Sequence, residues 1–248
     1  MALNGEFDYA RAISGNPIDV LSSRGGKLLE LVSDNDGIFV RRKYLPKGVA
    51  AIESCNRSFS DAWTAYNEML QGSGLSIVPS ALFVNEEGTE PIIVSEYIED
   101  VDAKPVSSLP VEKKVLVAGN LGKLLTAHKW FLPSAQGFQK DAFVAVYGEA
   151  QLIDVDPYIK QRYRGLDPRA ERTVLEDVQG AFMISGARLL EEWSLSEGER
   201  TNMASAFVRT VGEVLNDDSS FTLLERFTTP HMMANGTSYE VARAAFSS

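Results

Sequence analysis

Two carboxylates close an apolar run in the stretch GFQKDAFVAVYGEAQLIDVDPY, residues 137–158. Leu152 and Ile153 deliver Asp154 where a strand should stop, Asp156 follows, and Pro157 breaks the pattern. Hard oxygens at a strand end suit Mg2+, which takes one or two carboxylates, keeps several waters and bridges to phosphate oxygens. The same residues also suit an ordinary hairpin, with an Asp capping the turn before the proline. The first arrangement handles phosphate and the second only turns the chain, so the surrounding elements decide between them.

Those elements read as strands and one helix, then a linker, then a helical half. Residues 27–44, KLLELVSDNDGIFVRRKY, are two strands around a turn signalled by Asp36-Gly37. Residues 59–71, FSDAWTAYNEMLQ, have helical spacing, with Ser60 as the expected N-cap and Gly72 and Gly74 as the stop. SIVPSALFVN and PIIVSEYI are two more strands, and DVDAKPVSSLP is a polar linker. VEKKVLVAGNLGKLLTAHKWF is helical, AFVAV and AQLIDV form a hairpin across Tyr147-Gly148, and 173–193 and 195–216 are helical. The expected class is α+β, with a mainly β lobe over residues 1–100 and a mainly helical lobe over 101–248.

Composition narrows the chemistry. The chain has 248 residues, 44% hydrophobic and 23% charged, the balance of a globular protein with a substantial core. A formal net charge of −10 argues against a generic nucleic-acid or anionic-membrane surface. Cys55 is the single cysteine, which excludes an intrachain disulfide and a Cys-cluster zinc site; two histidines, His128 and His231, leave no His-rich metal site. The opening MALNGEFDYARAIS lacks the basic start and apolar run of a secretory leader, and no stretch of about 18 apolar residues suggests a membrane span. A cytoplasmic location is the expectation.

The order of elements resembles the protein-kinase-like fold, including its small-molecule and lipopolysaccharide-kinase branches, over roughly residues 20–190. Setting Asp154 on the family's metal-binding Asp puts Asp141 on its metal-binding Asn, Gln136 on its catalytic Asp, and His128 on the histidine that closes the preceding helix. Counting back from Lys43, taken as the strand lysine that meets nucleotide phosphates, the Gly-rich loop falls on LSSRGG, where Leu21, Ser23 and Gly26 take the three glycine positions. Small residues here, Ser23, Gly25 and Gly26 among them, let the backbone approach phosphate less freely than three glycines would. Arg41, on the same strand face as Lys43, competes for its role. Glu68 stands as the ion-pair partner of Lys43, and Asp177 as the buried brace of the catalytic loop. IIVSEYIED resembles the hinge, with Ser95 as gatekeeper and adenine bonding the backbone C=O of Glu96 and N–H of Ile98.

The resemblance implies ATP and Mg2+ as cofactors, Lys43 on the phosphates, and Asp141 and Asp154 on the metal. It also exposes a gap. An amide cannot accept a proton near neutral pH, so Gln136 orients a hydroxyl at most, and losing a general base costs about 10²–10⁴-fold. The favoured reading is a kinase-like protein with a degenerate catalytic loop that binds a nucleotide, a protein or a small molecule. The alternatives are an active atypical phosphotransferase on a small molecule, glycolipid or protein, with Asp141 or Asp156 taking over as base, and an interaction scaffold with no nucleotide site.

Overall fold

A computed structural model of the chain describes residues 9–34, 37–53, 58–85, 89–99, 102–125, 130–131, 142–157, 160–161 and 192–215. The chain divides into two compact units: Met1–Thr64 with Val78–Glu99, and Ala65–Ile77 with Asp100–Ser248. The second unit thus takes in Ala65–Ile77 in addition to the residues beyond the expected boundary near 100.

The first unit is built on a five-stranded antiparallel sheet. Its strands are β1 (Asn16–Arg24), β2 (Lys27–Asp34), β3 (Gly37–Tyr44), β5 (Ser80–Phe83) and β6 (Ile92–Glu96), in the order β1-β2-β3-β6-β5; β4 (Ser76–Ile77) pairs in the other unit. Arg24 pairs with Lys27, so Gly25 and Gly26 alone make the β1–β2 turn. Both have positive φ, +66° and +81°, as a two-residue hairpin turn matching the strand twist demands. In sequence LSSRGG reads as a loop, but the strand continues through Ser22, Ser23 and Arg24. Asp34 pairs with Gly37, so β2 and β3 are joined as a hairpin.

Strand alternation gives this sheet two faces. On one, Val32, Phe39 and Val94 pack with Ala12 of helix α1 (Tyr9–Ser14), joined by Ile13, Phe83 and Ile92. On the other, Tyr44 meets Phe59 edge-on with ring centroids 4.6 Å apart. Phe59 opens helix α3 (Phe59–Ser73). Ser58, rather than the expected Ser60, caps it: the Ser58 hydroxyl accepts the Asp61 N–H at 3.1 Å and its carbonyl the Ala62 N–H at 3.2 Å. Gly74, with φ +78°, ends it as the sequence suggested. Between β3 and α3 lies a short helix absent from the sequence reading, α2 (Pro46–Glu53), with proline in its first turn.

Pro79, just beyond the second unit's Ala65–Ile77 segment, explains why SIVPSALFVN is not one strand. The segment before it, β4, pairs in parallel with β9 (Glu149–Leu152), which forms the expected hairpin with β8 (Phe143–Val146) across Tyr147-Gly148. The second unit also holds the two-stranded pair β7 (Trp130–Phe131) and β10 (Lys160–Gln161), a 3-10 turn (Val106–Ser108), and the helices α4 (Val111–Leu125) and α5 (Glu197–Leu215). Helices α4 and α5 touch backbone to backbone: a Cβ on Gly122 would stand 2.5 Å from the Phe207 carbonyl oxygen. Lys114 of α4 is fully buried, its Nζ donating to Glu199 Oε2 at 2.7 Å and to the carbonyls of Ser107 and Trp193. A buried ammonium is tolerable only with such partners. The helix expected over 173–193 lies outside the described residues except at its end. The observed architecture is the α+β arrangement expected, strands first and helices later.

Candidate functional site

Arg41, Arg42 and Lys43 are consecutive on β3, so alternation sends the first and third to one face and the second to the other. Arg41, only 3% exposed, donates from Nε to Glu30 Oε2 at 2.9 Å and from NH1 to the carbonyls of Ala12, Ile13 and Gly15. It anchors the C-terminal end of α1, where a cation complements exposed carbonyls. Lys43 reaches the same Glu30 oxygen at 3.2 Å, with its side chain 37% exposed. Burial pushes the Glu30 carboxyl up, but the hydrogen bonds and charges of Arg41 and Lys43 bring it net below the usual carboxylate range. The carboxylate on Lys43 is therefore Glu30 of the neighbouring strand, while Glu68, the expected partner, lies exposed on α3.

Arg42 points the opposite way. It is buried, and its NH1 donates to the hydroxyl of Ser95 at 2.8 Å. The Ser95 and Ser80 hydroxyl oxygens are 3.0 Å apart, and Ser80 Oγ is 2.8 Å from the Val78 carbonyl. One proton per hydroxyl lets a continuous row run from the guanidinium to that carbonyl. Sequence reasoning passes over Arg42 by fixing on the lysine. The missed signal is the register: Ser95 pairs with Val40, two residues before Arg42, so Ser95 shares a face with Arg42.

The glycine turn is engaged in packing. Leu45 N–H donates to Gly26 O at 2.8 Å, and a Cβ on Gly26 would meet the Gly48 nitrogen at 2.5 Å. Gly26 thus serves the contact with α2, whereas Gly25 faces open space and Ser23 lies exposed on β1. At the end of β6, the stretch expected to act as a hinge, Glu96 N–H donates to the Pro79 carbonyl and Tyr97 N–H to that of Ile38.

Asp154 stands where the sequence placed it, immediately after β9 and Ile153. Ile153 N–H donates to the Ala142 carbonyl at 2.7 Å, and the Tyr66 hydroxyl donates to the Asp154 carbonyl at 3.2 Å, which fixes the strand end on α3. Asp154 is half-buried and Asp156 buried. Among the described residues no three Asp, Glu, His or Cys side chains gather as a metal site. Asp141, Gln136, His128 and Asp177 lie outside the described residues. Next to Ile153 the second unit has a cleft of about 740 Å³, walled by Pro105, Val106, Phe143, Val144, Ile153 and Trp193 and edged by Lys104 and Glu192. Phe143 and Trp193 meet edge-on with centroids 5.4 Å apart. That volume is in the range of small-molecule pockets, about 300–1,000 Å³.

No family model and no curated protein matches the sequence. Solved structures do. A structure described as WaaP in complex with acyl carrier protein superposes with a TM-score of 0.51 at 13% identity, covering 96% of this chain and 94% of that one. The Mycobacterium tuberculosis PknI kinase domain aligns with a TM-score of 0.41 at 15% identity over 71% of this chain and 73% of that one. The chain has a protein-kinase-like fold. Among the described residues no helix is long and apolar enough to cross a membrane.

Proposed function

We propose that this chain is a nucleotide-binding protein on a kinase-like fold whose catalytic loop no longer supports efficient phosphoryl transfer. The observation that carries the binding half is the apolar cleft of the second unit, with Ile153 in its wall and Asp154 directly after it. An aromatic base gains most from such a wall, and the Asp154 carboxylate, next in sequence to Ile153 although not part of the lining, is of the type that suits Mg2+ bound to phosphates. Asp141 and Asp154 would provide the one or two carboxylates Mg2+ commonly takes. The transfer half rests on Gln136 at the position of the general base. The glycine turn points the same way, because Gly26 is committed to Gly48 and offers little freedom to close over phosphate.

The test is calorimetric titration with ATP, with and without Mg2+, then an assay for phosphate release and transfer. Metal-dependent binding with turnover absent, or restored by Gln136→Asp, supports the reading. An active atypical phosphotransferase is the second reading, favoured by the retained strand-end Asp154. It predicts turnover in the unmodified protein that Asp154→Ala abolishes.

A further inference from the structure

We propose that Tyr66 is a positioning residue for the strand-end carboxylate: by holding the backbone carbonyl of Asp154, its hydroxyl sets the direction in which that side chain meets a divalent cation bound to nucleotide phosphates. The inference rests on the nucleotide reading above and names the residue that keeps Asp154 in place. Tyr66 and Asp154 both belong to the second unit.

The β4–β9 and β8–β9 ladders both end at Leu152, two residues short of Asp154. A carboxylate beyond the ladder points where its own backbone dihedrals send it, unless other bonds take the ladder's place. Two do. Ile153 N–H donates to the Ala142 carbonyl at 2.7 Å and fixes the chain entering Asp154. The Tyr66 hydroxyl donates to the Asp154 carbonyl at 3.2 Å and fixes the peptide leaving it. Val155, wholly buried, anchors the next step of the chain. With the backbone held on both sides, the Cα–Cβ bond of Asp154 has one direction, while the residue itself is only half-buried.

The residue type carries information. Tyr66 is 2% exposed, and a buried phenol needs a partner for its hydroxyl. Phenylalanine would fill nearly the same space, so what tyrosine adds at this carbonyl is a donor. Its lever is a rigid one, because the ring is packed inside α3's buried face beside Ala62, Ala65, Met69 and Leu70 of the same helix. Groups that orient a metal ligand without touching the metal are commonly worth about 10–100-fold in affinity. The ion matters too. Mg2+ demands near-ideal octahedral geometry, whereas Ca2+ accepts irregular shells. A carboxylate that loses its fixed direction therefore costs Mg2+ more than Ca2+.

Calorimetric titration of the full chain with ATP tests this in three conditions, with Mg2+, with Ca2+ and without metal. Tyr66→Phe keeps the ring and removes only the donor. Relative to the unmodified protein it is expected to weaken binding about tenfold with Mg2+, and to stay within about twofold with Ca2+ and without metal. Ser73→Ala is the control. It too removes a buried hydroxyl from α3, one that bonds Leu70 and Leu75. It should stay within about twofold in all three conditions, because its loss costs stability without redirecting Asp154. An equal loss by Tyr66→Phe in all three conditions makes Tyr66 merely structural and overturns the assignment. So does unchanged binding with Mg2+, or the same Mg2+-selective loss in Ser73→Ala. All three leave the nucleotide reading standing. No Mg2+-dependent binding by the unmodified protein overturns both.

Discussion

Glycine to alanine at position 48 separates two opposed effects. Gly48 lies in α2, where helix propensity alone favours alanine by about 1 kcal/mol. The packing opposes this: a Cβ there would stand 2.3 Å from the Gly26 carbonyl oxygen and 3.0 Å from its carbon. Both are backbone atoms of a turn already fixed by the Leu45 hydrogen bond, so no flexible side chain can give way. Overpacking of this kind costs about 1–3 kcal/mol, enough to reverse the sign of the propensity gain. Gly72 in α3 is the control, a helical glycine with nothing within 4 Å of its added Cβ. Gly72→Ala should stabilise by up to about 1 kcal/mol, and Gly48→Ala should destabilise by about 1–2 kcal/mol after the two effects are set against each other. Urea unfolding of both variants gives the difference directly. Equal shifts in the two would refute the claim that the β1–β2 turn is held by glycine-to-glycine contact.

Glu30→Gln should destabilise the first unit markedly, because Arg41 and Lys43 lose their shared carboxylate; thermal melts of Glu30→Gln, alone and with Lys43→Met, should show the double variant losing less than the sum. The folded Glu30 pKa is below its unfolded value, so its contribution is fully present above the unfolded value near 4.5 and disappears as pH falls through the folded one; acid titration of stability should flatten in Glu30→Gln over that window. Lys114→Ala should lower the melting temperature more than Glu199→Gln does, since the ammonium is wholly buried and holds two carbonyls besides the carboxylate. Tyr66→Phe should cost about 1 kcal/mol, the net worth of one hydrogen bond, measured by denaturant unfolding.

Much of the scaffold was legible because its signals are local. Asp36-Gly37 and Tyr147-Gly148 marked hairpins, and the apolar period of 59–71 and 195–216 marked helices that the structure ends at Ser73 and Leu215. The misses have physical reasons. Pro79 divides what reads as one apolar strand, and the partners of its halves are far apart in sequence. Gly26 reads as a phosphate-loop glycine, yet its need for no side chain comes from Gly48, which no local pattern reveals. Arg41-Arg42-Lys43 is harder still. Alternation fixes that Arg42 opposes its neighbours, but only folding shows that α1 and Glu30 claim the face of Arg41 and Lys43. Nothing in the local sequence singles out Glu30, whose two cations are brought beside it only by the pairing of β2 with β3.

The most direct test of the central claim is ATP titration with and without Mg2+, on the unmodified chain and on Asp154→Ala, with phosphate transfer measured in the same samples. The account predicts metal-dependent binding that Asp154→Ala loses, with no transfer until Gln136→Asp is introduced. Efficient transfer by the unmodified chain, or no binding at millimolar ATP, would contradict it.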